Sequence, residues 1–476
     1  MVVTGLAQAT PTLGQVTMLD DRRPPTVWPE SSSYHTRGKG HDKCDGHHGG
    51  GTAPGIPQWV REFGTPGNDF AGGVAVDPSG NALIVGGSNG FTDAFVRKYD
   101  SNGNVLWSRE FAVGYGGAQF VGTDHLGNIY VVGGAMASVS GQPYAGATDV
   151  FVCKYSPSGD ELWTAEFGSA DYDGAFSAAF DSDGNTYVGG YGLGGFEDGF
   201  VAKISSAGTI LWLTQIGTSG GNYVNNVTFD SSGGAYATGG LNNDGFVSRL
   251  DGTTGRVVWQ VILPNQVIFT EGTDLAVSRS GVYVAYELAG NTSSDAVIRK
   301  YELDGTELWS NVIPGGYFSN AGSRNLLVNA VGQVYAMCTT GNGQGAVRKL
   351  NPGGVEQWTV TLGGPGGLLP LGGALDRAGN LWLHGQISIG GGDLAVVELD
   401  PSGNTLLAAQ YGSPGFDFAS ASSIAIGCGG EIYAASTVQG PVGGQPYLGV
   451  QDCLLAKFRW RSKVDDAHSD AESGSP

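Results

Sequence analysis

One aromatic position recurs along this chain at a nearly constant interval. It is Trp59, Trp107, Trp163, Trp212, Trp259, Trp309 and Trp358, then Leu407, then Trp460, with spacings between 47 and 56 residues. The sequence around it repeats as well. Residues 70–107 read FAGGVAVDPSGNALIVGGSNGFTDAFVRKYDSNGNVLW, and residues 175–212 read AFSAAFDSDGNTYVGGYGLGGFEDGFVAKISSAGTILW. A period of this size marks units that are each too small to bury their own apolar faces, so neighbouring copies must cover one another.

The first unit shows what one copy contains. Gly73–Asp77 is apolar and short, and Asp77-Pro78-Ser79-Gly80-Asn81 is a tight turn; Ala82–Gly86 follows, then a longer loop. Asp93–Tyr99 is a third strand, Asp100-Ser101-Asn102-Gly103 a second tight turn, and Asn104–Phe111 a fourth strand carrying Trp107. Asp, Asn and Gly tolerate the positive φ of hairpin turns, so the unit reads as a four-stranded antiparallel meander.

Counting the strands predicts how the array ends. The first strand with its turn occurs eight times, near Val74, Val121, Ser177, Val227, Leu275, Leu326, Gly373 and Ile424. The third strand also occurs eight times, the last at Cys453–Phe458, after which only Arg459 and Trp460 precede a charged tail. The eighth unit therefore lacks an outer strand, and Gln58–Phe63, a Trp-bearing strand without a unit of its own, is free to supply it. The expectation is an all-β fold: a single closed β-propeller of eight four-stranded blades over residues 56–460, its last blade completed by the N-terminal strand. Residues 1–55 and 461–476 are expected to be disordered tails.

Composition fits this reading. The 83 glycines supply many tight turns, while an apolar fraction of 40% is ordinary for a packed protein. A net charge of −20 argues against a phosphate-neutralising nucleic-acid surface. No run approaches the roughly 18 apolar residues of a membrane span. Five cysteines cannot pair completely; Cys153, Cys338 and Cys453 fall in strands and read as small core hydrophobes, with Cys428 at a turn and Cys44 in the N-terminal tail. Leu6-Ala7-Gln8-Ala9 resembles the small-residue end of a signal peptide, without the basic start or most of the apolar run. Either there is no signal, or the start is assigned downstream of the true one.

These residues resemble the bacterial SBBP-type β-propeller repeat. The resemblance rests on Gly67-Asn68-Asp69-Phe70-Ala71, Val74-Ala75-Val76-Asp77 and Asp93-Ala94-Phe95-Val96-Arg97-Lys98-Tyr99, and it returns through residues 56–460. The strand order is also similar to NHL and PQQ-type propellers. The fifth and sixth units depart from the Asp-x-x-Gly-Asn turn (Ser278-Arg279-Ser280-Gly281 and Asn329-Ala330-Val331-Gly332) but keep its Gly. The resemblance implies a secreted or surface-associated bacterial protein, extracellular or at the cell surface, and supplies no catalytic residues.

Candidate sites follow from what recurs and what does not. An acid opens the third strand in seven units (Asp93, Asp149, Asp198, Asp244, Asp295, Asp393 and Asp452), with Gln344 in the other. Five residues on stands a base (Lys98, Lys154, Lys203, Arg249, Lys300, Lys349 and Lys457), with Glu398 the exception. The acids read either as a cation-collecting ring or as acceptors for loop N–H groups, and once-per-blade recurrence favours the second. The Asp77 and Asp181 turns are too short for calcium loops. A bulky residue recurs before the first strand: Phe70, Tyr115, Tyr172, Tyr223, Phe269, Phe318, Leu369 and Phe418. It reads as inter-blade packing or as an aromatic rim for sugars or peptides.

Two long loops match each other, around Gln142-Pro143-Tyr144 and Gln445-Pro446-Tyr447. Ligand contacts are therefore expected on the long-loop face, at Phe70, Tyr172, Tyr223, Phe269, Phe318, Phe418, Tyr144 and Tyr447. In the N-terminal tail, His41, Cys44, His47 and His48, with His35 nearby, are metal-type ligands that would suit a divalent ion, but their spacing matches no ordered structural site, so a disordered tail and no cofactor are the leading expectation. No nucleophile elbow or phosphate loop is present in its required strand-to-helix setting. The leading expectation is a non-catalytic, monomeric scaffold for a protein or glycan partner. The alternatives are an enzyme or cation-dependent binder at the central channel, and a structural surface protein.

Overall fold

The computed structural model describes residues 57–459, apart from 194–197, 218–220, 264–268, 291–293, 319–324, 364–366 and 388–393. Among these residues every named element is a strand, and there are 32. Seven blades are continuous in sequence, beginning with Phe70–Val76, Ala82–Ser88, Asp93–Tyr99 and Val105–Ala112. The eighth runs Phe418–Ile426, Glu431–Val438, Asp452–Arg459 and then Trp59–Phe63, so the N-terminal strand closes the ring as its sequence predicts. It pairs antiparallel with the third strand over five residues, from Trp59 opposite Lys457 to Phe63 opposite Cys453. The inner strands of blades eight and one also share one parallel bridge, Gly73 to Ser422, across the join.

The core is not central. Eight hydrophobic clusters are present, one at each blade boundary. Leu83, Val85 and Val96 of blade one, for example, meet Ile129, Val131 and Phe151 of blade two. Each such side chain contributes about 1.5–3 kcal/mol on full burial. Cys153, Cys338 and Cys453 lie inside these layers as free thiols. Alternation explains the pattern: both faces of each blade are covered, so the middle strands are buried at nearly every position.

A polar lock accompanies most boundaries. The Trp of each outer strand donates its indole N–H to a backbone carbonyl in the outer hairpin turn of the next blade. Trp107 reaches Pro157 at 3.1 Å and Trp163 reaches Ser206 at 3.0 Å. Trp212, Trp259, Trp309, Trp358 and Trp59 repeat the contact on Gly252, Leu303, Pro352, Pro401 and Ser101. The Lys cross-strand from the Trp often uses the same carbonyl, as Lys98 does on Pro157 at 3.0 Å. Lys154, Lys203, Lys349 and Lys457 do likewise. The recurring base is thus structural, and Lys98 also pairs with Asp77 at 2.8 Å. The turn glycine sits beneath the ring. Gly159 has φ +86°, and a Cβ there would lie 2.6 Å from the Trp107 indole. One residue type therefore meets a backbone and a packing requirement together.

Among the described residues, the boundary between blades seven and eight shows no such lock. Blade seven carries Leu407 and Glu398 where other blades carry Trp and a base. Blade eight, split between the two ends of the chain, has no outer hairpin to offer a carbonyl.

Candidate functional site

Tight turns occupy one face of the ring, and the longer connections occupy the other. The inner strands all begin at the long-loop face. Its loops are held by carboxylates as well as by buried side chains such as Val139 and Val442. Asp69 accepts the N–H of Thr65 at 2.6 Å and of Asn89 at 3.0 Å, tying the entry loop of blade one to its second loop. Asp417 does the same with Ser413 and Gln439.

Third-strand acids also hold loop backbone, either in the loop before their own strand or in the loop that leaves the blade. Asp149 accepts from Ala145 at 2.7 Å, Asp452 from Leu448 and Gly449, and Asp295 from Gly315. Asp393 lies outside the described residues. Among those described, no group of three or more His, Cys, Asp and Glu is placed to hold a metal ion. The turn acids behave alike: Asp77 accepts from Ser79 and Asn81, capping its own turn.

The matched long loops are anchored identically. Val139 and Val442 each donate their N–H at 2.8 Å to an outer-strand carboxylate, Glu166 and Glu62 respectively. Burial raises both carboxyl pKa values, that of Glu62 to about 7, with Asp452 and Asp417 nearby. These loops carry Tyr144 and Tyr447; Tyr144 is exposed and Tyr447 half-buried.

The recurring bulky residue resolves into two positions. Phe70, Tyr223, Leu369 and Phe418 stand immediately before the bulged segment of their inner strands. Tyr115, Tyr172 and Phe269 stand two residues earlier than that point. Phe318 is 2% exposed and belongs to the core between blades five and six. Tyr223 and Phe269 are partly buried, while Tyr172 and Phe418 are open to solvent.

Three rings form a ladder at blades one and two. Phe70 lies 5.7 Å from Phe91, and Phe91 lies 5.9 Å from Tyr115. Phe91 takes φ +70°, a backbone region that bulky residues rarely enter and that costs about 1–3 kcal/mol. At blade eight, Phe416 and Phe418 pack edge-on at 4.7 Å, both at least 40% exposed. Phe91 and Phe416 escape a search for repeated positions because neither repeats.

One polar cluster near the axis is also unrepeated. Glu271 of blade five accepts from Asn225 of blade four at 2.6 Å and from Tyr223. It sits cross-strand from Glu287, a position pair that reads Phe70–Gly87, Gly117–Gly134 and Tyr223–Gly240 elsewhere. Burial raises the pKa of both glutamates, and for Glu287 the neighbouring Glu271 adds to it. Departure from the repeat at 271 and 287 was the available signal. The tail residues His41, Cys44, His47 and His48 lie outside the described residues.

Fold and loop face together define an eight-bladed propeller with a loop-built surface. A family model described as beta-propeller repeat matches residues 58–92. Another, described as outer membrane protein assembly factor BamB, matches residues 92–369 and again 243–439, more than half of the chain. The chain belongs to that family. It is also 32% identical over 112 residues to regulatory protein FlaEY of Caulobacter vibrioides, a match spanning 21% of this chain and 12% of that protein. Among solved structures, the Dos1 propeller superposes with TM-score 0.50 at 11% identity, over 83% of this chain and 94% of that one. BamB from Moraxella catarrhalis gives 0.47 at 13% identity, over 85% and 98%. Among the described residues no helix is long and apolar enough to cross a membrane.

Proposed function

We propose that this propeller is a non-catalytic scaffold that works outside the cytoplasm and takes a protein partner on its long-loop face. The observation that carries this is the strained Phe91, inserted between Phe70 and Tyr115 beside a 53% exposed tyrosine ring. Strain that packing does not require is kept where it shapes a surface, and rigid aromatic anchors are the commonest source of interface energy. The family's description as an outer-membrane assembly factor supports a protein partner and a setting at the cell envelope. The test is a photo-crosslinking residue placed at Tyr115 or Tyr172, with Leu126 on the tight-turn face as control. Adducts in intact cells are expected from the first two and not from Leu126. Equal yields from both faces, or a partner trapped at Leu126 alone, would reject the assignment.

A second reading is favoured by the Glu271–Glu287 pair: a cation-dependent binder near the channel mouth. Like charges set directly opposite each other destabilise a sheet unless something neutralises them, and hard oxygen ligands suit calcium or magnesium. Unfolding with and without calcium tests it. A rise in transition temperature that Glu271→Gln abolishes supports it, because a ligand of the folded state must stabilise that state. An unchanged transition rejects it.

A further inference from the structure

Three positions that are apolar or glycine in the first two blades turn polar together at one boundary. By strand register, His384 of blade seven stands where blades one, two and six carry Val85, Val132 and Met337. Tyr411 stands where blades one, two and three carry Phe111, Phe167 and Ile216. Ser436 of blade eight stands where blades one and two carry Gly86 and Gly133. The three side chains meet between blades seven and eight. His384 Nε2 lies 3.1 Å from the Tyr411 hydroxyl and 3.4 Å from that of Ser436, and the two hydroxyls are 3.4 Å apart. His384 and Ser436 are fully buried, and Tyr411 is 6% exposed. This is also the boundary where Leu407 and Glu398 stand in place of the Trp and the base.

We propose that this boundary is a joint that acid releases: the neutral imidazole of His384 bridges blades seven and eight, and its protonation opens the ring between them.

Geometry carries this. Two hydroxyls beside one ring nitrogen suit a neutral imidazole that accepts there. A proton added to Nε2 turns the acceptor into a donor and leaves a charge in a dry layer. The surroundings do not compensate it. Gly372 and Val396 lie opposite His384 on the flanking strands, and Phe418–Ile426 carries only Ala, Ser and Ile after its Phe. Blade eight adds Ala434 and Phe458 to the layer. Among the described residues, Tyr411 is the titratable group in contact, and burial and Asp417 raise its pKa, so it stays a hydroxyl. Asp417 itself is engaged with Ser413 and Gln439. Glu398 lies two residues beyond Val396 and takes the Asn380 amide.

The sign follows. Burial lowers the His384 pKa to about 3, whereas an exposed imidazole takes a proton near pH 6.5. Closure is therefore favoured in full above about pH 6.5, and the open-to-closed ratio rises about tenfold for each pH unit below it. Glu398 runs the other way. Burial raises its carboxyl to about 8, so its contribution to closure grows as pH falls, and the release belongs to the histidine. Opening here breaks no indole contact among the described residues, whereas opening any other boundary breaks one.

Backbone hydrogen exchange on the full chain at pH 7.5 and pH 5, corrected for intrinsic rates, tests the proposal. Leu381–Ile387, Thr405–Tyr411 and Glu431–Val438 are expected to lose about thirtyfold in protection at pH 5. Ile129–Ala135 and Asp149–Tyr155, in blade two, are expected to hold theirs. His384→Met, which installs the residue of blade six, should remove the pH difference. His384→Gln should remove it too, since it keeps polar contacts without titrating. Tyr411→Phe should keep the difference and lower protection at both pH values. An unchanged seam at pH 5, equal losses in blade two, or a pH difference that survives both His384 variants would overturn the proposal. The comparison within the unaltered chain decides the matter if neither variant folds.

Discussion

Seven blade boundaries in this ring are nearly interchangeable, and one is not. At the seven, an indole N–H reaches the next blade's hairpin carbonyl, and five add a lysine on the same oxygen. At the eighth, between blades seven and eight, both residue types change together. The hydrophobic layer there is of the same kind, built from Leu394, Val396, Ile432, Ala434 and Phe458. The difference therefore lies in the polar contacts, the lock among them. The lock depends on a continuous hairpin in the following blade. Closing a ring with strands from both chain ends removes one such hairpin, and the repeat gives way at the residues that would have used it. The opposite side of the closing blade shows the converse. Trp59 and Lys457 come from the two ends of the chain, yet both reach the Ser101 carbonyl at 3.1 and 2.8 Å.

The largest effect should come from removing the closing strand. Deleting residues 1–64 leaves Asp452–Arg459 as an open edge, and such an edge templates association. Aggregation or loss of the cooperative transition is expected in light scattering and calorimetry, whereas deleting residues 1–55 should leave both unchanged. A stable monomer after the longer deletion would remove the premise of the comparison. Next is Lys98→Met, which leaves the buried Asp77 carboxylate without its cation. Breaking such a pair costs about 3–5 kcal/mol, and the turn N–H groups that also bind Asp77 place the expected loss near the lower end. A smaller effect is expected from placing the seam's residue at an ordinary boundary. Trp107→Leu should cost about 2–3 kcal/mol in chemical denaturation, through lost ring burial and a lost hydrogen bond. The reverse change, Leu407→Trp, should gain nothing, because no hairpin carbonyl waits for it. A stabilising Leu407→Trp would break the comparison.

The ring itself was legible in the sequence because its determinants are periodic. Trp107, the Asp100–Gly103 turn and the Asp93–Tyr99 strand recur with the scaffold, and so does the surplus strand Trp59–Phe63 that specified closure. The Leu407 and Glu398 departures were visible as well, but their meaning was not. Trp and Lys act on a neighbouring blade, and sequence spacing within one unit does not show which carbonyl they meet. The candidate site was far less legible. Aligning bulky residues merged Phe70 and Tyr223 with Tyr115 and Tyr172, because a two-residue offset before a bulge is invisible without strand register. Phe318, aligned with them, is core. Phe91 and Glu271 owe their interest to being unrepeated, so a search for recurrence passes over them.

The smallest effect concerns the two loops capped by equivalent glutamates, one on the closing strand and one on an internal strand. Glu62 accepts from Val442, and Glu166 accepts from Val139. Both carboxyls are raised by burial, Glu62 with Asp452 and Asp417 near it and Glu166 with Asp149. The Glu62 carboxyl goes from an ordinary value of 4.5 to about 7, so the folded chain holds a proton there that the unfolded chain has already released. Stability from this group is therefore fully present below about pH 4.5 and is lost as pH rises through 7. Glu62→Gln keeps the acceptor for Val442 and removes the titration. It should flatten the decline in transition temperature between pH 4.5 and 8, gaining a few °C at the upper end. Glu166→Gln should act in the same direction over a narrower pH range. If Glu62→Gln instead lowers the transition at pH 8, the closing strand depends on a charged Glu62, and the two loops are not energetic equivalents despite their shared geometry.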